Sequence, residues 1–271
     1  MIRLNNSIAY VLDLDASKVI EAVRSTGATI TPAMMHYAHY LISNMKNIGT
    51  WQLSNAVYGF VGGTAASHKF NWKDLRDVDA AFRLTYPNGM THSSLGIQGN
   101  GTNQYANTFL TPSTSLTLNN THLSIYSRTN SDGVFCDIGA ANTSAPSNAM
   151  TIYIRLNNKL YTDAYQNSIN GRIITDNFDS KGYYISNRLS ATSFKVFKNE
   201  RLLTSINLSA GILPTNNIFI GALNDAALGG SILQFSGRQY SFSTIGAGLT
   251  DTQAIQQSQI VTNAQNILNR A

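Results

Sequence analysis

Between Met150 and Leu156 the chain alternates without a break: Met150, Ile152, Ile154 and Leu156 are apolar, and Thr151, Tyr153 and Arg155 lie between them. A period of two belongs to the β-strand, whose successive side chains point to opposite faces; a helix would scatter these residues around its circumference. The segment predicts a half-buried strand. Leu123 and Ile125 alternate with Ser124 and Tyr126 in the same way, and further strands are predicted at Tyr183 to Arg188, Phe194 to Lys198, Leu202 to Ile206, Ile218 to Leu223 and Gln239 to Ile245. Beyond Asn88 and Gly89 these short runs are separated by turn signals at the spacing of a β-sandwich.

Charged residues make up 12% of the 271 residues and hydrophobic ones 43%, so neutral side chains, 29 Asn among them, carry the polarity. Such residues suit turns and exposed strand faces, and the apolar fraction suffices for a core. The net charge of +5 comes from Lys and Arg scattered singly between Arg3 and Arg270 against 14 carboxylates. It reflects missing acids more than a basic patch and argues against nucleic-acid recognition. Cys136 is the only cysteine, which excludes an intrachain disulfide and reads as buried filler. Met1 to Tyr10 lacks the apolar core of a signal peptide, and no run of about 18 apolar residues could span a bilayer. The chain is expected to fold in a cytosol.

Residues 1 to 14 read as an extended, apolar arm. Asp15 is placed to cap a helix carrying Ala16, Val19, Ile20 and Val23, with Gly27 at its exit. Thr31 as N-cap and Pro32 at the first helical position start a second helix, striped by Met34, Ala38, Leu41, Met45 and Ile48 and ended by Gly49. Thr250 and Gln253 form a capping box for a C-terminal helix with Ala254, Ile255, Val261, Ala264 and Leu268 on its apolar side. The predicted organisation is an N-terminal arm and helices at 1–50, a connector at 51–88 and a sandwich with its C-terminal helix at 89–271.

Four segments in order add a family resemblance. Gly101, Thr102, Asn103, Gln104 and Tyr105, the hairpin Val196 to Leu203, the strand Ile218 to Ala222, and Tyr240 to Ile245 followed by Leu249, Thr250 and Asp251 together resemble laminin-G-like, concanavalin A-like jelly rolls. The resemblance implies a mainly β fold, an antiparallel jelly-roll β-sandwich with N-terminal helices and a C-terminal helix. Glu200 stands where that family's hairpin has Gly, and a type I′ turn needs positive φ there. A second block, Tyr58 to Asn71 continued by Lys73, Asp74, Arg76 and Asp77, resembles structural proteins of tailed bacteriophages, crAss-like gut phages included. It implies a virion component folded in the host cytoplasm: capsid decoration, head fibre or tail fibre. Its partners would be other virion proteins and itself, as a homo-oligomer and by family analogy a trimer.

Chemistry is sparse. Glycosidases of this architecture need two carboxylates across the scissile bond, whereas the only Glu residues are Glu21 on a helix and Glu200 in a turn. The chain is therefore expected not to be an enzyme. Asp74, Asp77 and Asp79 read as solvated ion pairs with Lys73, Arg76 and Arg83. His36 and His39 share a helix without a completing ligand, and His68, His92 and His122 stand alone. Tyr161 and Tyr165, amid Asn157, Asn158, Asp163, Gln166, Asn167 and Asn170, offer the aromatic rings, planar amides and carboxylate that hold a glycan, in one loop. Ordinary strand-edge roles compete with that reading. Asp176, Asn177 and Asp179 supply oxygens for Ca²⁺ or form a polar turn. The functional alternatives are thus virion display, a stand-alone carbohydrate-binding or receptor-recognition module, and a glycanase.

Overall fold

The computed structural model describes residues 13–142, 148–165, 171–207, 211–225 and 231–271. The expected arm, save its last two residues, and Gln166, Asn167 and Asn170 lie outside the described residues. The chain opens with helices α1 (Leu14–Ser25), α2 (Pro32–Asn47) and α3 (Thr50–Leu53), then strand β1 (Ser54–Tyr58) and the single turn α4 (Ala65–His68). Next come β2 (Thr91–Ser93), β3 (Gly96–Gln98), β4 (Ala106–Asn107), α5 (Pro112–Ser115) and β5 (Thr121–Ser127). A run of strands follows: β6 (Ile138–Asn142), β7 (Asn148–Leu156), β8 (Lys159–Ala164), β9 (Arg172–Asp176), β10 (Gly182–Ser190), β11 (Ser193–Lys198) and β12 (Arg201–Ile206). Short strands β13 (Phe219–Ile220), β14 (Leu223–Asp225) and β15 (Ser231–Leu233) lead to β16 (Gln239–Gly246) and helix α6 (Asp251–Ile267).

Two sheets form. The first runs β12-β11-β10-β5-β16-β3-β2, with β1 also paired to β16; the second runs β15-β14-β6-β7-β8-β9, with β13 and β4 attached beside β6. Every described pair is antiparallel except the short β14–β6 contact. The fold is a mainly β, jelly-roll sandwich of two antiparallel sheets. Leu123, Ile125, Tyr184, Val196 and Ile245 of the first sheet meet Ile138, Ile152, Ile154, Leu160 and Ile173 of the second in the interior.

The helices form a third layer. Tyr126, Tyr183, Ile185, Phe197 and Phe242 point away from the sandwich interior and are buried with Val19, Leu41, Met45, Val261 and Ala264 of α1, α2 and α6. This layer explains why β5 and most of β10 are buried on both faces, where alternation alone implies one wet face. It also explains the neutral polar residues on that face. Ser124 and Thr244 share a hydrogen bond of 2.6 Å, and the Tyr183 hydroxyl donates to Ser124 at 2.8 Å while accepting from Gln257 of α6 at the same distance. Buried hydroxyls and amides stay inexpensive only when so paired.

Local signals set the helix ends. Thr31 accepts from Met34 N with Pro32 behind it, and the Thr250–Gln253 capping box forms. Asp13, two residues earlier than expected, caps α1 by accepting from the amides of Asp15 and Ala16. The segment 51–88 is built into the sandwich, since β1 pairs with β16 in register Val57↔Thr244. At the β11–β12 hairpin only Asn199 has positive φ, at 53°, so Glu200 is accommodated by a turn other than type I′.

Candidate functional site

The outward face of the second sheet holds its most chemically varied surface. In β7, β8 and β9, Thr151 lies opposite Asp163 and Asp163 opposite Arg172; one row along, Tyr153 lies opposite Tyr161 and Tyr161 opposite Ile174. Cross-strand neighbours on one face touch, so the two rows form one patch. Asp163 is fully buried and accepts from Arg172 Nε at 2.8 Å, Arg172 Nη2 at 2.6 Å and the Thr151 hydroxyl at 2.6 Å. The guanidinium lies 5.7 Å from the ring centroids of both Tyr153 and Tyr161. Burial works against the Arg172 charge, yet its hydrogen bonds and attraction to Asp163 leave its pKa above the ordinary value. The Tyr153 hydroxyl donates to Gln234 Oε1 at 2.7 Å, and burial raises its pKa well above the usual phenol range.

Arg172 is therefore fixed in place, with Nη1 its only guanidinium nitrogen lacking a hydrogen bond among the described residues. Tyr161 is half-buried and Ile174 is 42% exposed. The patch combines an accessible aromatic ring, an apolar neighbour and a rigid cationic donor.

The residues singled out from sequence are distributed differently. Asn157 and Asn158 form the tight β7–β8 turn with φ of 53° and 59°, and their amides donate to the carboxylate of Asp132 at 2.8 and 2.9 Å. Tyr165 sits beyond the other end of β8, a strand spanning about 20 Å, and is fully buried with its hydroxyl on Thr121. The expected single loop is thus a hairpin strand. It separates Asn157 and Asn158 from Tyr165 and leaves Tyr161 alone of these four on the open face. Sequence reading named Asp163 but missed Arg172 and Thr151. The Asn157–Asn158 pair, a type I′ signal, could have revealed the hairpin and hence their alignment.

Asp176, Asn177 and Asp179 do not converge on an empty seat. Asp176 is bridged to Lys159 at 2.7 Å, Asn177 Oδ1 accepts from Lys198 Nζ at 2.9 Å, and Asp179 caps the Lys181 amide at 2.9 Å. The Lys198 ammonium also donates to the Asp179 backbone carbonyl and lies 5.4 Å from the Tyr184 ring. Among the described residues no group of three or more His, Cys, Asp or Glu side chains could hold a metal ion. Asp74, Asp77 and Asp79 pair with Arg76, Lys69 and Arg83, while Lys73 instead donates to the Trp51 carbonyl at 2.6 Å. Burial, followed by the charges of Asp137 and Asp163, pushes the Cys136 thiol well above its ordinary range.

No protein-family model matches the sequence, and no curated protein is significantly similar to it. Solved structures do share the fold. A Trypanosoma rangeli sialidase in complex with sialic acid superposes at a TM-score of 0.51 with 10% identity over 77% of this chain and 32% of its own length. Domain 4 of AbnA, an extracellular GH43 arabinanase from Geobacillus stearothermophilus, in complex with arabinotriose, aligns at 0.47 with 13% identity over 76% and 98% of the two chains. The botulinum neurotoxin serotype D binding domain aligns at 0.47 with 11% identity over 80% and 52%. The fold is a lectin-like β-sandwich. The chain matches only about a third of the sialidase, so the likeness concerns shape alone. It nevertheless corrects one expectation: the sialidase contains a sandwich of the same fold, so the scarcity of Glu does not place the chain among non-enzymes.

Proposed function

We propose that the protein is a jelly-roll recognition module whose outward second sheet binds a carbohydrate. The observation that carries this reading is the arrangement of Arg172 beside Tyr153 and Tyr161, locked by both oxygens of the buried Asp163. Sugar rings present apolar C–H faces and hydroxyl edges. An aromatic ring takes the former, and a preoriented guanidinium takes the latter without losing rotamer freedom on binding. Placement on paired strands keeps these groups in register. The resemblance of residues 58 to 77 to phage structural proteins supports a virion as the setting, with the module displayed for attachment to a bacterial-surface glycan.

A glycan array probed with the whole chain tests the proposal. Selective retention that Tyr161→Ala and Arg172→Lys weaken about tenfold or more is expected, Tyr161→Ala with little change in melting temperature. Retention of no glycan at all, or retention indifferent to both substitutions, overturns it. Release of sugar from glycosides that these substitutions abolish would turn the patch into a catalytic one and replace the reading.

A further inference from the structure

We infer that β9 is the seam of a two-fold dimer in which the second sheets of two copies join edge to edge. The inference concerns the strand edge and stands whether or not the adjoining face binds a glycan. β9 ends the second sheet, with β8 on one side and no described strand on the other. Its backbone phase follows from the hydrogen bonds around it. Asn177 N donates to Asn158 O at 2.8 Å, which continues the register Asp176↔Lys159 and makes Ile173 and Thr175 the residues bonded to β8. The N–H and C=O groups of Arg172, Ile174 and Asp176 therefore face the open edge. Such an edge is a template for another strand.

The side chains select which strand. Ile173 packs into the sandwich interior, so Arg172, Ile174 and Asp176 share the outer face. Antiparallel pairing of two copies about Ile174 sets Ile174 against its mate and Arg172 against Asp176 of the second copy, twice. Each contact then extends an ion pair already present, because Arg172 binds Asp163 and Asp176 binds Lys159. The result is an alternating ladder across the seam: Asp163, Arg172, then Asp176 and Lys159 of the other copy. The 42% exposed Ile174 gains an apolar partner. A one-residue slip would turn the outer side chains to the other face, a two-residue slip would set Ile174 against Arg172 or Asp176, and a parallel arrangement would stack like charges, so the pattern favours this single isologous register.

Sedimentation of the intact chain over a range of concentrations, combined with cross-linking, tests the seam. Directly opposed residues in a hydrogen-bonded pair lie about 5.5 Å apart at Cα, within disulfide range. Ile174→Cys is expected to give a disulfide-linked dimer under mild oxidation, whereas Val134→Cys, at an exposed site elsewhere, forms no disulfide across the seam. Asp176→Lys opposes like charges and is expected to weaken the wild-type dimer at least about tenfold. A wild-type chain that stays monomeric at high concentration overturns the proposal. So does a dimer that Asp176→Lys leaves intact, or one in which Ile174→Cys fails to cross-link.

Discussion

Arg238 and Asp137 meet with neither side chain exposed: Nη1 lies 2.9 Å from both carboxylate oxygens, 101 residues apart in sequence. The Tyr240 hydroxyl and the Ile154 amide also donate to Asp137, at 2.6 and 2.7 Å, and Arg238 Nη2 donates to the carbonyls of Ser131 and Arg155. One cluster thus ties β16, at the centre of the first sheet, to β7 of the second.

Removing one member leaves a buried charge without compensation, which costs more than the pair itself contributes. Asp137→Ala is expected to destabilise the fold by about 3–5 kcal/mol in urea unfolding. The double change Asp137→Leu with Arg238→Met, which removes both charges and keeps the volume, is expected to cost less than the single one.

His122 makes acid stability a second readout. Its Nδ1 faces the Ala247 carbonyl at 2.5 Å and its Nε2 faces the Thr244 hydroxyl at 2.9 Å, fixing a neutral ring whose Nδ1 carries the proton. Burial pushes its pKa from the ordinary 6.5 down to about 4, opposed only by the Ala247 carbonyl. The unfolded chain thus takes up a proton below about 6.5 that the folded chain refuses until about 4. Stability is full above that window and falls through it as pH drops, by roughly 3 kcal/mol from this residue. His68 and His92 are lowered too, chiefly by burial, and act in the same direction. Denaturant titrations across the window should show this slope, shallower in His122→Gln.

What the sequence made legible was local. Alternation marked β7 and β5, and caps marked α2 and α6, because these patterns are written over a few residues. Pairings between distant segments were not: nothing near Val57 announces Thr244 as its partner, and nothing near Asp163 announces Arg172 without the β8–β9 register. The half-buried reading of β7 failed for a similar reason. Thr151 and Tyr153, polar enough for a wet face, are 1% and 6% exposed because Asp163, Arg172 and Gln234 cover them. Tyr161 was found by residue type alone. The groups that make its surroundings a site are supplied by neighbouring strands.

The C-terminal helix offers a smaller, cleaner test. Thr250 accepts from Gln253 N at 3.2 Å and Gln253 Oε1 accepts from Thr250 N at 3.0 Å, while Gln253 Nε2 donates to the Ile48 carbonyl at the end of α2. Thr250→Ala removes one cap and is expected to cost about 1 kcal/mol. Gln253→Ala should cost at least as much, because it also frees the α2 terminus. Thermal melts of the two variants and their double check whether the effects fall short of additivity, as they must within one box.

The segment 58–77, distinctive in sequence, has a physical role as the clasp between helices and sandwich, and Gly59 is its tightest point. A Cβ there would stand 2.1 Å from Cζ2 of Trp72, a 4% exposed ring packed edge-on against Tyr37 at 5.9 Å. The Gly59 carbonyl accepts from the Tyr37 hydroxyl and from Arg270 Nη2, each at 3.2 Å, so the backbone has little room to retreat. Gly59→Ala must displace the indole and is expected to cost about 2 kcal/mol or more, the usual penalty of overpacking a closed core. Gly63→Ala is the comparison: its Cβ would meet nothing closer than 3.5 Å, but φ is +77°. It should cost only the roughly 1 kcal/mol of a left-handed backbone. Urea unfolding of the two variants, with tryptophan fluorescence reporting on Trp72, checks both the ranking and the cause; equal losses with an unmoved indole would count against the steric account.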